Sequence, residues 1–154
     1  MKRLTPITNT KALDILNKVH FFDNLNSDEK DILTGFHSHF FLTPKGEAII
    51  REGDNNNQSF YILLTGKVTV RRHDAATPLA TLFPGNFFGE VSFLTDRPRT
   101  TSVVAECSCI IFEIDRPTLN HLEISIREKL KDNIIQVMVQ RLDLMNETVA
   151  RLSA

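Results

Sequence analysis

Glu90 and Arg99 stand nine positions apart in a segment that also carries a glycine and strand-forming residues: Phe88-Gly89-Glu90-Val91-Ser92-Phe93-Leu94, then Arg97-Pro98-Arg99-Thr100-Thr101-Ser102-Val103. A glycine lets the backbone approach a ligand closely. If Glu90 to Leu94 form one short helical turn, the amides of Val91 and Ser92 aim their donors at the same point. Donors converging in this way suit an anion. Arg99 adds a planar fork that matches two phosphate oxygens, whereas Glu90 would repel a phosphate and is better placed to accept from sugar hydroxyls. Phosphate plus ribose specifies a nucleotide. The competing reading of the same two residues is an exposed ion pair joining a loop to a strand. Arg97 follows Asp96 at a turn and reads as solvated.

The register of the whole segment resembles the phosphate-binding cassette of the cyclic nucleotide-binding domain family, of the catabolite activator protein and protein kinase A regulatory subunit type. That pattern is Phe-Gly-Glu, an apolar residue, a small one, an apolar pair, then Arg nine positions after the Glu, a small or hydroxyl residue, Ala, any residue and Val or Ile. Thr101 stands where the family has Ala, a departure that crowds the pocket floor and removes no ligand contact. The resemblance implies a phosphate held by Arg99 and the Gly89–Ser92 turn, ribose on Glu90, a hydroxyl contact from Thr100, and Phe88 leading into the turn. Carried along the chain, it also places Val70, Leu79 and Ala80 around the base, with Met145 and Asn146 on two hydroxyl positions that touch adenine. Both hydroxyls are replaced. Asn146 still offers an amide, against a plain reading as a solvated helix residue, while Met145 offers packing alone. The ligand implied is cyclic AMP, with cyclic GMP the alternative.

These residues need a scaffold, and short apolar runs every eight to twelve residues with Gly, Pro or Asn between them indicate an all-β barrel or sandwich. The strand candidates are Phe36 to Leu42, Ala48 to Arg51, Phe60 to Leu64, Lys67 to His73, Leu79 to Phe83, Ser102 to Ala105 and Ser108 to Ile114. The stretch from Lys45 to Val70, including the loop through Asn57 and the turn residues Gly46, Gly53 and Gly66, also resembles the first half of the family's barrel. The fold class expected is mainly β: a jelly-roll-like β-roll of about eight short strands, with short N-terminal helices and a long C-terminal helix. One domain is expected over 1–154, with a helical entry over 1–36, the β-roll over 37–115 and C-terminal helices over 116–154. The entry helices are placed at Lys11 to Val19 and at Ser27 to Thr34, the second capped by Ser27. Asp115 reads as a later N-cap, with Pro117 in the first turn.

From Glu128 to about Leu152 no Gly or Pro interrupts a helix. Ile135, Met138, Leu142, Met145, Val149 and Leu152 recur at alternating steps of three and four, the a and d spacing of a heptad, while Leu130, Ile134, Val137 and Leu144 make a second row. A monomer covers one apolar face more easily than two. The expected assembly is therefore a homodimer through the six seam residues; one wide stripe lying on the chain's own barrel is the alternative.

At 154 residues the chain buries about two-thirds of its unfolded surface and needs no disulfide or metal to fold. A net charge of −1, without a Lys/Arg run, argues against a nucleic-acid face or a polybasic membrane patch. The apolar runs are too short for a membrane span, and Met1 to Thr10 lacks a signal core, so the expectation is a cytoplasmic protein. Cys107 and Cys109 read as small buried residues sharing a strand face. His37-Ser38-His39 opens a strand-borne metal motif, but the first following carboxylate is Glu47, so no metal site or cofactor is expected. There is no paired nucleophile and base and no Walker-type loop, so the chain reads as a non-enzymatic sensor. A nucleotide-independent interaction module with a structural pocket is the second class. Transcription factors of the family continue into a helix-turn-helix, and this sequence stops where that would begin, so the output is left open.

Overall fold

The computed structural model describes residues 2–3, 8–35, 39–55 and 58–153. They form two compact units, Met1–His121 and Leu122–Ala154. The first holds all the strands: β1 (Lys2–Arg3), β2 (Phe40–Thr43), β3 (Ala48–Ile50), β4 (Phe60–Thr65), β5 (Val68–Arg71), β6 (Ala80–Leu82), β7 (Phe87–Phe88), β8 (Ser102–Ala105) and β9 (Cys109–Ile114). They pair antiparallel in two sheets ordered β1-β2-β9-β4-β7 and β3-β8-β5-β6. The mainly β class is as expected, but the two sheets do not close into one barrel.

β9 sits between two partners, with Phe41 opposite Ile111 on one side and Leu63 opposite Ile111 on the other. A strand with neighbours on both sides and a covered face favours a dense apolar sequence, and β4 is buried from Phe60 through Leu64. Tyr61, Leu63, Phe88, Val68, Val103, Ala105, Cys109 and Ile111 form a core between the sheets, with Ile50 beside them. Gly66 makes the β4–β5 turn at φ +96; a Cβ there would lie 2.6 Å from Cys109 Sγ and 2.8 Å from the Ser108 carbonyl oxygen, so only glycine fits.

The helical entry consists of α1 (Asn9–Asn17), a 3-10 turn over His20–Phe22 and α2 (Ser27–Thr34). α1 begins two residues before the expected Lys11 because the Thr8 hydroxyl accepts from the Lys11 amide and caps it there. The cap of α2 is Asn26, correcting Ser27. Asn26 Oδ1 accepts from the Glu29 amide at 2.8 Å and Glu29 Oε1 from the Asn26 amide at 2.9 Å, a reciprocal box that Ser27 has no Glu three residues on to form. Phe21 meets Phe87 edge-on at 5.8 Å, tying the entry to the sheet that carries β7.

Other differences are local. Of the strand expected from Phe36, residues 36–38 lie outside the described residues, as does Asn57 in the loop after Gly53; the described strand runs Phe40–Thr43. β5 stops at Arg71, where Arg72 pairs with Asp74 in the following turn. β7 is too short to stand out as an apolar run. β9 starts at Cys109, leaving Cys107 exposed before the strand and correcting its expected burial; Cys109 is buried, and its thiol donates to the Lys67 carbonyl.

α3 (Glu90–Thr95) and α4 (Arg116–His121) complete the first unit. Asp115 caps α4 as expected, its Oδ1 accepting from the Thr118 amide at 2.8 Å. The second unit consists chiefly of α5 (Ile124–Ser153), which begins a turn before Glu128. Ile126, Leu130 and Ile134 are buried. Leu144, placed in the same row by spacing, is 63% exposed, so the buried row ends earlier than expected. Among the described residues no helix is long and apolar enough to cross a membrane.

Candidate functional site

Phe87 and Phe88 pair with Ile62 and Tyr61, and the Phe88 ring stacks on Tyr61 at 5.4 Å and 23°. That pair contributes about 0.5–1.5 kcal/mol beyond its buried area and holds the chain firmly where it leaves the sheet. At Gly89 the backbone turns left-handed, φ +84, and α3 begins at the next residue. Phe93 anchors the helix from below, edge-on to Phe60 at 4.9 Å. The short helix expected over Glu90–Leu94 is thus formed and extends to Thr95. Ser92 and Phe93 face inward, Val91 outward, and Glu90 is half-buried.

Arg99 returns beneath this turn. Its backbone is pinned to the loop after β3: the Arg99 amide donates to the Asp54 carbonyl at 2.9 Å and the Gly53 amide to the Arg99 carbonyl at 2.8 Å. The guanidinium donates from Nη1 to the Gly89 carbonyl at 2.9 Å and from Nη2 to the Ser59 carbonyl at 2.5 Å. Arg99 is only 5% exposed, which argues against the competing reading of an exposed ion pair. Burial pushes its pKa down, while Tyr61, Asp54, Glu113 and Glu90 act the other way. An arginine stays charged under such a shift, so the site holds one desolvated cation. A Cβ on Gly89 would approach Arg99 Nη1, Ile50 Cδ1 and the Ser59 carbonyl, each at 3.0 Å, so glycine is required for backbone angle and space alike.

A cation held this way can do two things. Its carbonyl partners fix the fork, and the guanidinium N–H groups not used on those carbonyls are left for a further acceptor. Thr100 follows Arg99 and is exposed, and Thr101 is half-buried before β8.

The remaining candidates separate into two groups. Val70 is half-buried on β5, and Leu79 and Ala80 are exposed beside it, the Leu79 amide donating to the Val70 carbonyl at 2.7 Å. These three are neighbours because β5 and β6 pair with Val70 opposite Ala80. Met145 and Asn146 lie on α5 in the second unit, both exposed. So are Ile135, Leu142, Val149 and Leu152 of the expected seam, at 57–82%, while Met138 is half-buried.

Sequence reasoning missed Ser59, whose carbonyl fixes Arg99, and Arg116, whose Nη2 donates to the Phe93 carbonyl at 2.5 Å. The Arg116 guanidinium also stands 5.2 Å over the Phe93 ring and 3.6 Å from Asp96. Arg116 therefore ties the end of α3 to the start of α4. Elsewhere, Arg71, Arg72 and His73 line an open depression of about 500 Å³ with Glu52 and Ser102. Its charges are already committed, Arg71 to Glu106, Arg72 to Asp74 and His73 to Glu52, so this is no second anion site.

Comparison with known proteins fits this geometry. Residues 42–123, just over half of the chain, match the cyclic nucleotide-binding domain. A cAMP-dependent protein kinase regulatory subunit of Dictyostelium discoideum is 36% identical over 95 residues, 58% of this chain and 29% of that protein. Human cGMP-dependent protein kinase 2 is 31% identical over 128 residues, 78% of this chain and 16% of that one. The chain spans less than a third of the length of these relatives. Among solved structures, the catabolite activator protein of Thermus thermophilus superposes with a TM-score of 0.72 at 29% identity, over 86% of this chain and 62% of that one. With the Gly89–Arg99 register inside the matched span, the chain belongs to the cyclic nucleotide-binding domain family.

Proposed function

We propose that the chain is a cyclic nucleotide sensor that acts by binding, without catalysis. The observation that carries this reading is the desolvated Arg99 guanidinium, 2.9 Å from the carbonyl of Gly89 and fixed against the turn that starts α3. A cyclic phosphate accepted there receives donors from Arg99 and from the amides of Val91 and Ser92, with Thr100 as a further donor; Glu90 accepts from the ribose hydroxyl. Val70, Leu79 and Ala80 form an apolar wall for the base. Asn146 stands at a position that touches adenine in the family and carries an amide that matches the adenine edge, while Met145 offers packing alone, which favours cyclic AMP over cyclic GMP. The relatives include both a regulatory subunit of a cAMP-dependent protein kinase and a cGMP-dependent protein kinase, so the preference rests on Asn146 and not on kinship.

A phosphate on the amides of Val91 and Ser92 acts on α3, which is in turn held to α4 by Arg116. A shift of α3 therefore biases the start of the C-terminal helices through one cation and one aromatic ring. The exposed seam from Ile135 to Leu152 supports the second half of the proposal, a homodimer through α5. A single 30-residue helix carrying this many exposed large apolar residues is better explained by a partner helix than by solvent. Calorimetric titration of the wild-type chain with cyclic AMP and cyclic GMP tests the reading. Saturable binding of cyclic AMP at micromolar level or tighter, with cyclic GMP weaker, is expected; no heat from either nucleotide would leave the interaction-module reading in its place.

A further inference from the structure

The sequence offers His39 no metal-binding companion within reach, since no carboxylate follows it before Glu47. The fold supplies two from the neighbouring strand β9 and the residue just beyond it. Phe40 on β2 pairs with Phe112 on β9; His39 immediately precedes Phe40 and Glu113 immediately follows Phe112, so this pairing brings the two residues together. Asp115 follows two residues after Glu113. One ligand atom from each of His39, Glu113 and Asp115 lies within 4.8 Å of the other two, and all three side chains are half-buried. We infer that His39, Glu113 and Asp115 form a binding site for a divalent transition-metal ion of the zinc class.

Chemistry selects the class of ion. Two carboxylates and a neutral imidazole give a charge that a divalent cation neutralises, and the imidazole turns the preference from calcium or magnesium toward zinc and its neighbours. Three protein ligands leave a fourth position for water in a tetrahedral shell. Bonds of about 2.0–2.2 Å would draw the three atoms together by about 1 Å, a movement that the Glu113 side-chain torsions can supply. Outer contacts already aim two of the ligands. Thr118 donates from its amide to Asp115 Oδ1 at 2.8 Å, and the Thr118 hydroxyl lies 3.4 Å from His39 Nε2. This site shares no residue with the proposed nucleotide pocket, so its test is independent of that reading.

The experiment is calorimetric titration of the untagged, chelator-treated chain with zinc chloride, with melting curves recorded with and without zinc. One zinc per chain at micromolar affinity or tighter, with a raised melting temperature, is expected. His39→Ala and Glu113→Gln should each weaken binding by about tenfold or more and abolish the thermal shift, with circular dichroism confirming that each is folded. His73→Ala, at an exposed histidine paired with Glu52, should bind as wild type does. The proposal is overturned if wild type shows no saturable zinc binding up to about 100 μM, a weak limit by the standard of structural zinc. It is equally overturned if His39→Ala and Glu113→Gln both retain wild-type affinity.

Discussion

The turn at Gly89 and the helix α5 carry comparable sequence signals, yet they end in opposite physical states. Around Gly89 the aromatic and cationic residues find partners inside the chain: Phe88 stacks on Tyr61, Phe93 meets Phe60 edge-on, and Arg99 spends donors on the carbonyls of Gly89 and Ser59. Along α5 the signal stays outside, with Leu142, Met145, Val149 and Leu152 all more than half exposed. A motif whose partners lie in the same unit becomes geometry. A periodic apolar face without such partners remains a demand for one.

The largest effect expected from breaking this contrast is at Arg99. Arg99→Ala leaves two carbonyls without their donor in a buried place and should cost about 2–5 kcal/mol of stability in the first unit, read as a lower denaturation midpoint. A midpoint within experimental error of wild type would show that the guanidinium bonds do not hold the turn. On the other side, Leu142→Glu should leave that midpoint alone and act on assembly. Facing carboxylates in an apolar seam are relieved neither by solvation nor by pairing, so the mass by light scattering should fall from about twice 17.5 kDa to once. A wild-type chain already monomeric at tens of micromolar would remove the seam from the account. Asn146→Ala sharpens the comparison most finely, because it asks whether α5 reads the base at all. The ratio of cyclic AMP to cyclic GMP affinity should narrow by about 1–3 kcal/mol, the worth of one bidentate contact, and an unchanged ratio would assign selectivity to the wall of Val70, Leu79 and Ala80.

What was legible in the sequence follows the same division. Glu90, Arg99 and the turn between them could be read because their spacing is local and glycine at Gly89 has a steric reason. The strands could be read where an apolar run was long enough, as in β4, and were lost where two residues suffice, as in β7. Partners distant along the chain were invisible: Ser59 lies 40 residues from Arg99, and Glu113 and Asp115 are brought to His39 only by the pairing of β2 with β9. The buried state of Arg99 was missed for that reason, since an arginine beside Pro98 and Thr100 looks exposed until the loop at Gly53 and Asp54 closes over its backbone. Ser27 and Asn26 are both good caps by type, and only Glu29 three residues after Asn26 decides between them. Leu144 fitted a helical row by count, but spacing says nothing about how far along a helix a covered face extends.

The central claim is that Arg99 holds the phosphate of a cyclic nucleotide, and Arg99→Lys tests it most directly when titrated with cyclic AMP beside the wild type. Lysine keeps the charge and loses the planar fork. Wild type should bind at micromolar level or tighter, and Arg99→Lys, confirmed folded by circular dichroism, should bind at least about tenfold more weakly, as expected when a bidentate charge-assisted contact is reduced to a point charge. Equal affinity in the two proteins, or no binding by the wild type, would contradict the account.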